Sequence, residues 1–140
     1  MTMMHALDEM GDFVGQRHMR LPGNGRPLPA GLRWALEMLS GYDLSEVRVY
    51  YASEVPAQVG ARALTRGTDI HMRVGAEDAL AHEAWHVVQQ MQGRVEATVD
   101  MNGMAINDDP ALEKEADAMG AMASALSWSG MWRRARGVLE

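Results

Sequence analysis

The chain contains no cysteine, and that absence removes several chemistries at once. Disulfides and thiolate metal sites are excluded, so any metal must be held by His, Asp or Glu. Compartment stays open, because a protein without cysteine works in the cytosol or after export alike. No apolar run approaches membrane-spanning length. The segment Met1 to Glu9 has neither the basic n-region nor the apolar h-region of a secretory signal. The expected location is therefore cytoplasmic, or external by a non-classical route. A basic stripe is also missing. The net charge is −6 with acids and bases mixed along the chain, so neither nucleic acid nor a membrane is an expected partner.

What is present points to one globular domain. The chain has 140 residues, enough for one modest core. Hydrophobic residues make up 47%, which argues against wholesale disorder. The 13 methionines read as adaptable core filler. Residues 1–24 read as a flexible arm, 25–126 as the folded domain and 127–140 as a tail holding Trp128, Trp132, Arg133, Arg134 and Arg136.

Within the domain, Leu32, Ala35, Leu36 and Leu39 follow the i, i+3, i+4, i+7 spacing of one buried helical stripe, with Gly41 as the stop. Val47, Val49 and Tyr51 alternate with polar neighbours and predict a strand, as do residues 68–74. Residues 54–64 suggest a short helix broken by Pro56 and Gly60. Residues 77–92 predict a strong helix ended by Gly93. On a helical wheel Leu80, Ala84, Trp85, Val87 and Val88 share an apolar face, while His82, Glu83, His86 and Gln90 share the other. Residues 94–107 are irregular or form short strands. Asp109 and Pro110 suit the cap and first position of a last helix.

His82-Glu83-Ala84-Trp85-His86 is an H-E-x-x-H on that central helix. Residues i and i+4 stand one turn apart, so both imidazoles can reach one ion. A catalytic zinc takes three protein ligands and keeps its fourth position open. Glu83 is rotated by about 100° from the first histidine, where it can reach water without ligating tightly. The third ligand is sought in Glu113-Lys114-Glu115-Ala116-Asp117. Glu113 and Asp117 share a helix face, so Glu113 can ligate while Asp117 accepts the free N–H of a histidine. Glu115 is the rival ligand, but it points about 160° away from Asp117. Taken alone, these acids are solvated helix charges; the upstream histidines give them another role.

Several segments carry a family resemblance: Gly25 through Pro29, Val47 through Tyr50, Gly67 through His71, the HEAWHVVQQ run of His82 through Gln90, Gln92 through Val95, and Ile106 through Gly120. Together they resemble the eCIS core domain, a small metallopeptidase-like domain associated with extracellular contractile injection systems. The resemblance spans about residues 25–123. It implies a minimal zincin-like domain in the gluzincin style, with His82, His86 and Glu113 as ligands, Glu83 as base and Asp117 behind a ligand. Two departures stand out. Residues 74–80 are shorter than the commoner loop, and position 50 is Tyr where many relatives have His.

The resulting expectation is a single α+β, zincin-like domain: a small sheet packed on the H-E-x-x-H helix, crossed by a helix bringing the third ligand. The expected activity is peptide-bond hydrolysis with one Zn2+ per chain, on a peptide or protein substrate, with injection-system components as further partners. Residues 68–73 are expected to bind extended substrate by edge pairing. His71, Tyr50 or Tyr51, and Gln90 are candidate oxyanion or substrate contacts, against ordinary packing or backbone-capping roles. Two alternatives stand beside the peptidase: a non-catalytic, zinc-stabilised docking module, and a latent self-processing toxin domain with residues 1–29 across its cleft.

Overall fold

The first two helices form where an apolar stripe recurs with helical period, and each ends within two residues of a glycine in the left-handed region. Helix α1 (Ala30–Ser40) buries Leu32, Ala35 and Leu36, and the Gly41 N–H closes it on the Glu37 carbonyl. In this computed structural model the backbone is described for residues 2–6 and 25–139, and side chains for 25–127. Helix α2 (Leu80–Met91) follows a single 3-10 turn at Glu77–Ala79. Helix α3 (Pro110–Leu139) starts where the Asp109 Oδ1 accepts the Ala111 N–H at 2.8 Å. Its backbone stays helical through the segment expected to be a tail.

The strands are β1 (Thr2–Ala6), β2 (Arg48–Tyr50), β3 (Ala61–Arg66), β4 (Asp69–Met72), β5 (Val99–Met101) and β6 (Met104–Asn107). They form one sheet in the order β2-β4-β3-β1-β6-β5, with both parallel and antiparallel pairs. The domain is therefore α+β, as the residue patterns predict. All three helices lie over one sheet face, where Leu36, Val49, Ala63, Ile70, Met72, Leu80, Ala84, Val88 and Ala116 share a core. On the other face, Val59, Leu64 and Ile106 form a smaller cluster.

Three expectations about elements are corrected. Residues 2–6, placed in an arm, form β1, parallel to β3 and antiparallel to β6. An extended segment with weak periodicity can still satisfy the backbone groups of two strands that would otherwise be left open. Residues 7–24, the rest of that arm, lie outside the described residues. Residues 61–64, placed in a short helix, belong to β3; only Pro56–Val59 coil, as a 3-10 turn. Finally, β4 is not an edge. It pairs with β2 on one side and β3 on the other, so residues 68–73 have no free ladder to offer a peptide.

Candidate metal centre

Helix α2 puts His82 and His86 on the face turned towards α3, one turn apart. Helix α3 brings Glu113 against them. His82 Nε2 lies 3.0 Å from Glu113 Oε1, and His86 Nε2 lies 3.0 Å from Glu113 Oε2. The two rings meet edge to face, their centroids 4.6 Å apart. One ligand atom from each residue falls within 4.8 Å of the others. In a tetrahedral site with bonds near 2.0 Å, neighbouring ligand atoms sit about 3.3 Å apart, and each nitrogen lies near that spacing from a different oxygen of Glu113.

The hydrogen-bond logic of the site also asks for a cation. Asp117 Oδ1 lies 2.8 Å from His82 Nδ1, and a carboxylate only accepts, so Nδ1 carries the proton. In the neutral ring Nε2 is then a lone pair, yet it faces the Glu113 carboxylate. A second proton or a metal ion must mediate that contact. Glu113 Oε2 is buried, with His86 Nε2 3.0 Å away. Burial opposes ionisation of Glu113, but the adjoining His82 and His86 outweigh it and hold the carboxyl at about 2. Burial pulls the His82 pKa down, and Glu113, Glu83 and Asp117 more than reverse this, so it ends above its ordinary value. The centre thus sets one ionised carboxylate between two imidazoles.

Glu83 is completely buried. Thr65 Oγ1 on β3 lies 2.6 Å from Glu83 Oε1 and 3.0 Å from the Glu83 carbonyl. The single hydroxyl hydrogen of Thr65 is shared between these two acceptors, and the contact to Oε1 is the shorter. Burial raises the Glu83 pKa, against the pull of His86, Thr65 and His82. Among the described residues its Oε2 is buried without a hydrogen-bond partner. A cleft of about 230 Å³ reaches His82 from the Asp117 side, lined also by Asp78, Ala81, Gly120 and Ser124.

The expected ligands and the Asp117 contact come together; the other candidates do not. Along a strand successive side chains alternate faces. Thr65 and Ile70 are partners on the helix-covered face, so the neighbouring pair Leu64 and His71 lies on the opposite one, as does Tyr50, the β2 partner of His71. There His71 stacks on Tyr50 at 4.9 Å and its Nδ1 lies 3.0 Å from Ser53 Oγ. Tyr50 packs tightly on Gly25, where a Cβ would come within 2.9 Å of the ring hydroxyl. The sheet therefore separates His71 and Tyr50 from His82, His86 and Glu113. Tyr51 packs against the main core. Gln90 takes its backbone-capping role: Oε1 accepts the Gly67 N–H at 2.7 Å, and Nε2 reaches the Thr65 carbonyl.

Two groups at the site are not apparent from the motif. Thr65 comes from a strand that the sequence pattern hides. Gln89 is an amide beside the histidines with no signal of its own, yet its Oε1 lies 2.8 Å from His86 Nδ1. The rival acid Glu115 turns away from the ligands, accepting from Trp85 Nε1, Gln89 Nε2 and Arg94.

Residues 27–94 match the family model described as the eCIS core domain. Over that segment the chain is similar to the eCIS core domain. The match includes both histidines and Glu83 and ends before α3, so Glu113 joins the site by geometry rather than by the match. No curated protein and no solved structure matches the chain. Among the described residues, no helix is long and apolar enough to cross a membrane.

Proposed function

We propose that this domain is a zinc-dependent metallopeptidase, with His82, His86 and Glu113 holding the ion and Glu83 acting as general base. The observation that carries the reading is the approach of both Nε2 atoms to separate oxygens of one half-buried carboxylate, with a fully buried carboxyl one residue from His82. When bound, zinc supplies a Lewis acid that polarises an amide carbonyl and makes water easier to deprotonate. Asp117 fixes the His82 tautomer by accepting from Nδ1. Thr65 engages Glu83 Oε1, which leaves Oε2 as the atom that takes the proton from water and passes it to the leaving amine. A carboxyl with a raised pKa suits that double task.

The deciding comparison is Glu83→Gln against wild type, both zinc-loaded, on unstructured peptide substrates. The variant is expected to keep its zinc and lose roughly 10²–10⁴-fold in cleavage rate. Equal cleavage by both proteins would sink the mechanism.

A second reading is favoured by one observation: Glu83 and His86 are 0% exposed. In that reading zinc only ties α2 to α3, and the domain docks onto a component of a contractile injection system. It predicts stoichiometric zinc in wild type with no cleavage of any peptide in the same assay.

A further inference from the structure

The orientation of Gln89 follows from its partners. Its Nε2 lies 3.0 Å from the Leu112 carbonyl and 2.7 Å from Glu115 Oε1. Both partners accept only, so the NH2 end of the amide must face them. The carbonyl end then faces His86, where Oε1 lies 2.8 Å from Nδ1. An amide oxygen accepts only, so Nδ1 of His86 is the protonated nitrogen. Nε2 is left as the lone pair, and it is this atom that faces Glu113.

Glu115 is itself held. Arg94 meets both of its oxygens, at 2.9 and 3.1 Å, and the Trp85 indole N–H donates to Oε1. A chain of directed hydrogen bonds thus runs from Arg94 through Glu115 and Gln89 to His86. Gln89 is fully buried, and with Leu112 it also joins α2 to the first turn of α3, next to Glu113.

We infer that Gln89 is the positioning residue for His86: it fixes the ligand's tautomer and locks the Glu113-bearing turn beside it, doing with an amide for His86 what Asp117 does with a carboxylate for His82. This rests on the metal-centre reading. The two histidines are oriented by different means, one through an exposed acid and one through a buried amide anchored on the surface pair Glu115 and Arg94.

The test measures two things on wild type, Gln89→Leu, Gln89→Glu and Glu115→Ala. One is zinc affinity, by competition with a chromophoric chelator. The other is the His86 tautomer in the metal-free protein, by long-range proton–nitrogen spectra of labelled imidazole. Gln89→Leu is expected to lose roughly 10–100-fold in zinc affinity, with His86 passing from the Nδ1–H form to a mixture. Gln89→Glu keeps an acceptor for Nδ1 and therefore keeps the tautomer, but it turns an oxygen towards Leu112 and Glu115 and so loses affinity. Should Gln89→Leu not fold, Glu115→Ala carries the test, with a smaller loss of affinity and a mixed tautomer. Wild-type affinity in Gln89→Leu overturns the inference, as does a loss of affinity with the tautomer unchanged. Where Gln89→Leu does not fold, wild-type values in Glu115→Ala overturn it. Failure of wild type itself to bind zinc overturns the metal centre, and this inference with it.

Discussion

Glu113 and Glu115 are two residues apart on one helix, and the fold gives them different tasks. Glu113 faces the two histidines; Glu115 faces Arg94, Trp85 and Gln89. Hydrogen bonding from Arg94 leads the causes that bring the Glu115 carboxyl down from 4.5 to about 2. A carboxyl with a depressed folded pKa adds stability that is complete above its unfolded value and lost as pH falls towards the folded one. Glu115→Gln is therefore expected to be less stable than wild type at neutral pH, with the gap closing between about pH 5 and pH 2. Denaturant midpoints across that range measure it, and a gap constant with pH would show that charge at position 115 does not contribute. The choice between the two acids was legible from angle alone, because Asp117 shares a face with Glu113 and not with Glu115. The role of Glu115 was not, since Arg94 lies on another element and nothing local pairs them.

At the scale of elements, the site depends on how closely α3 lies on α2. Gly120 is at the crossing: a Cβ there would stand 2.9 Å from the His82 backbone nitrogen and 3.1 Å from the Ala81 carbonyl carbon. Those are backbone atoms, so α3 itself would have to move. Asp117 and Glu113 lie one and two turns back along the same helix, and both would move away from His82. Overpacking of this kind costs about 1–3 kcal/mol, against about 0.5–1 kcal/mol gained by replacing glycine with alanine in a helix. Gly120→Ala is expected to be destabilised by roughly 1 kcal/mol, with helical circular dichroism unchanged and zinc affinity reduced. Unchanged affinity would show that the spacing at Gly120 does not set the ligand geometry. The helices were readable because an apolar stripe at 3.6-residue spacing needs no partner to identify it. The strands were less so. Residues 61–66 are Ala-Arg-Ala-Leu-Thr-Arg, with no β-branched residue but Thr65, and the place of β4 inside the sheet is fixed by β2 and β3 together, which no local pattern encodes. With that place went the expectation of an edge for substrate and of His71 near His82 and His86.

For the whole molecule, the proposed ion links two helices that also share an apolar core. Ala84, Trp85, Val87 and Val88 of α2 and Ala116 and Ala123 of α3 belong to the same cluster. The metal-free chain therefore has a reason to fold, and zinc adds to that fold by mass action rather than creating it. Free zinc at 100 times its dissociation constant stabilises the bound form by about 2.7 kcal/mol. With an unfolding entropy of about 2.1 cal/mol/K per residue, that raises the melting temperature of a chain this size by roughly 9 °C. Removing zinc with a chelator is expected to lower the melting temperature by about that amount, and restoring zinc to recover it. In Glu113→Ala the chelator should have little effect, because the carboxylate that joins the helices through the ion is gone. A chelator shift of equal size in that variant would mean that the ion sits elsewhere. Collapse of wild type to an unfolded chain on chelation would mean that the core shared by α2 and α3 is too small to hold them, and that the ion holds the fold itself.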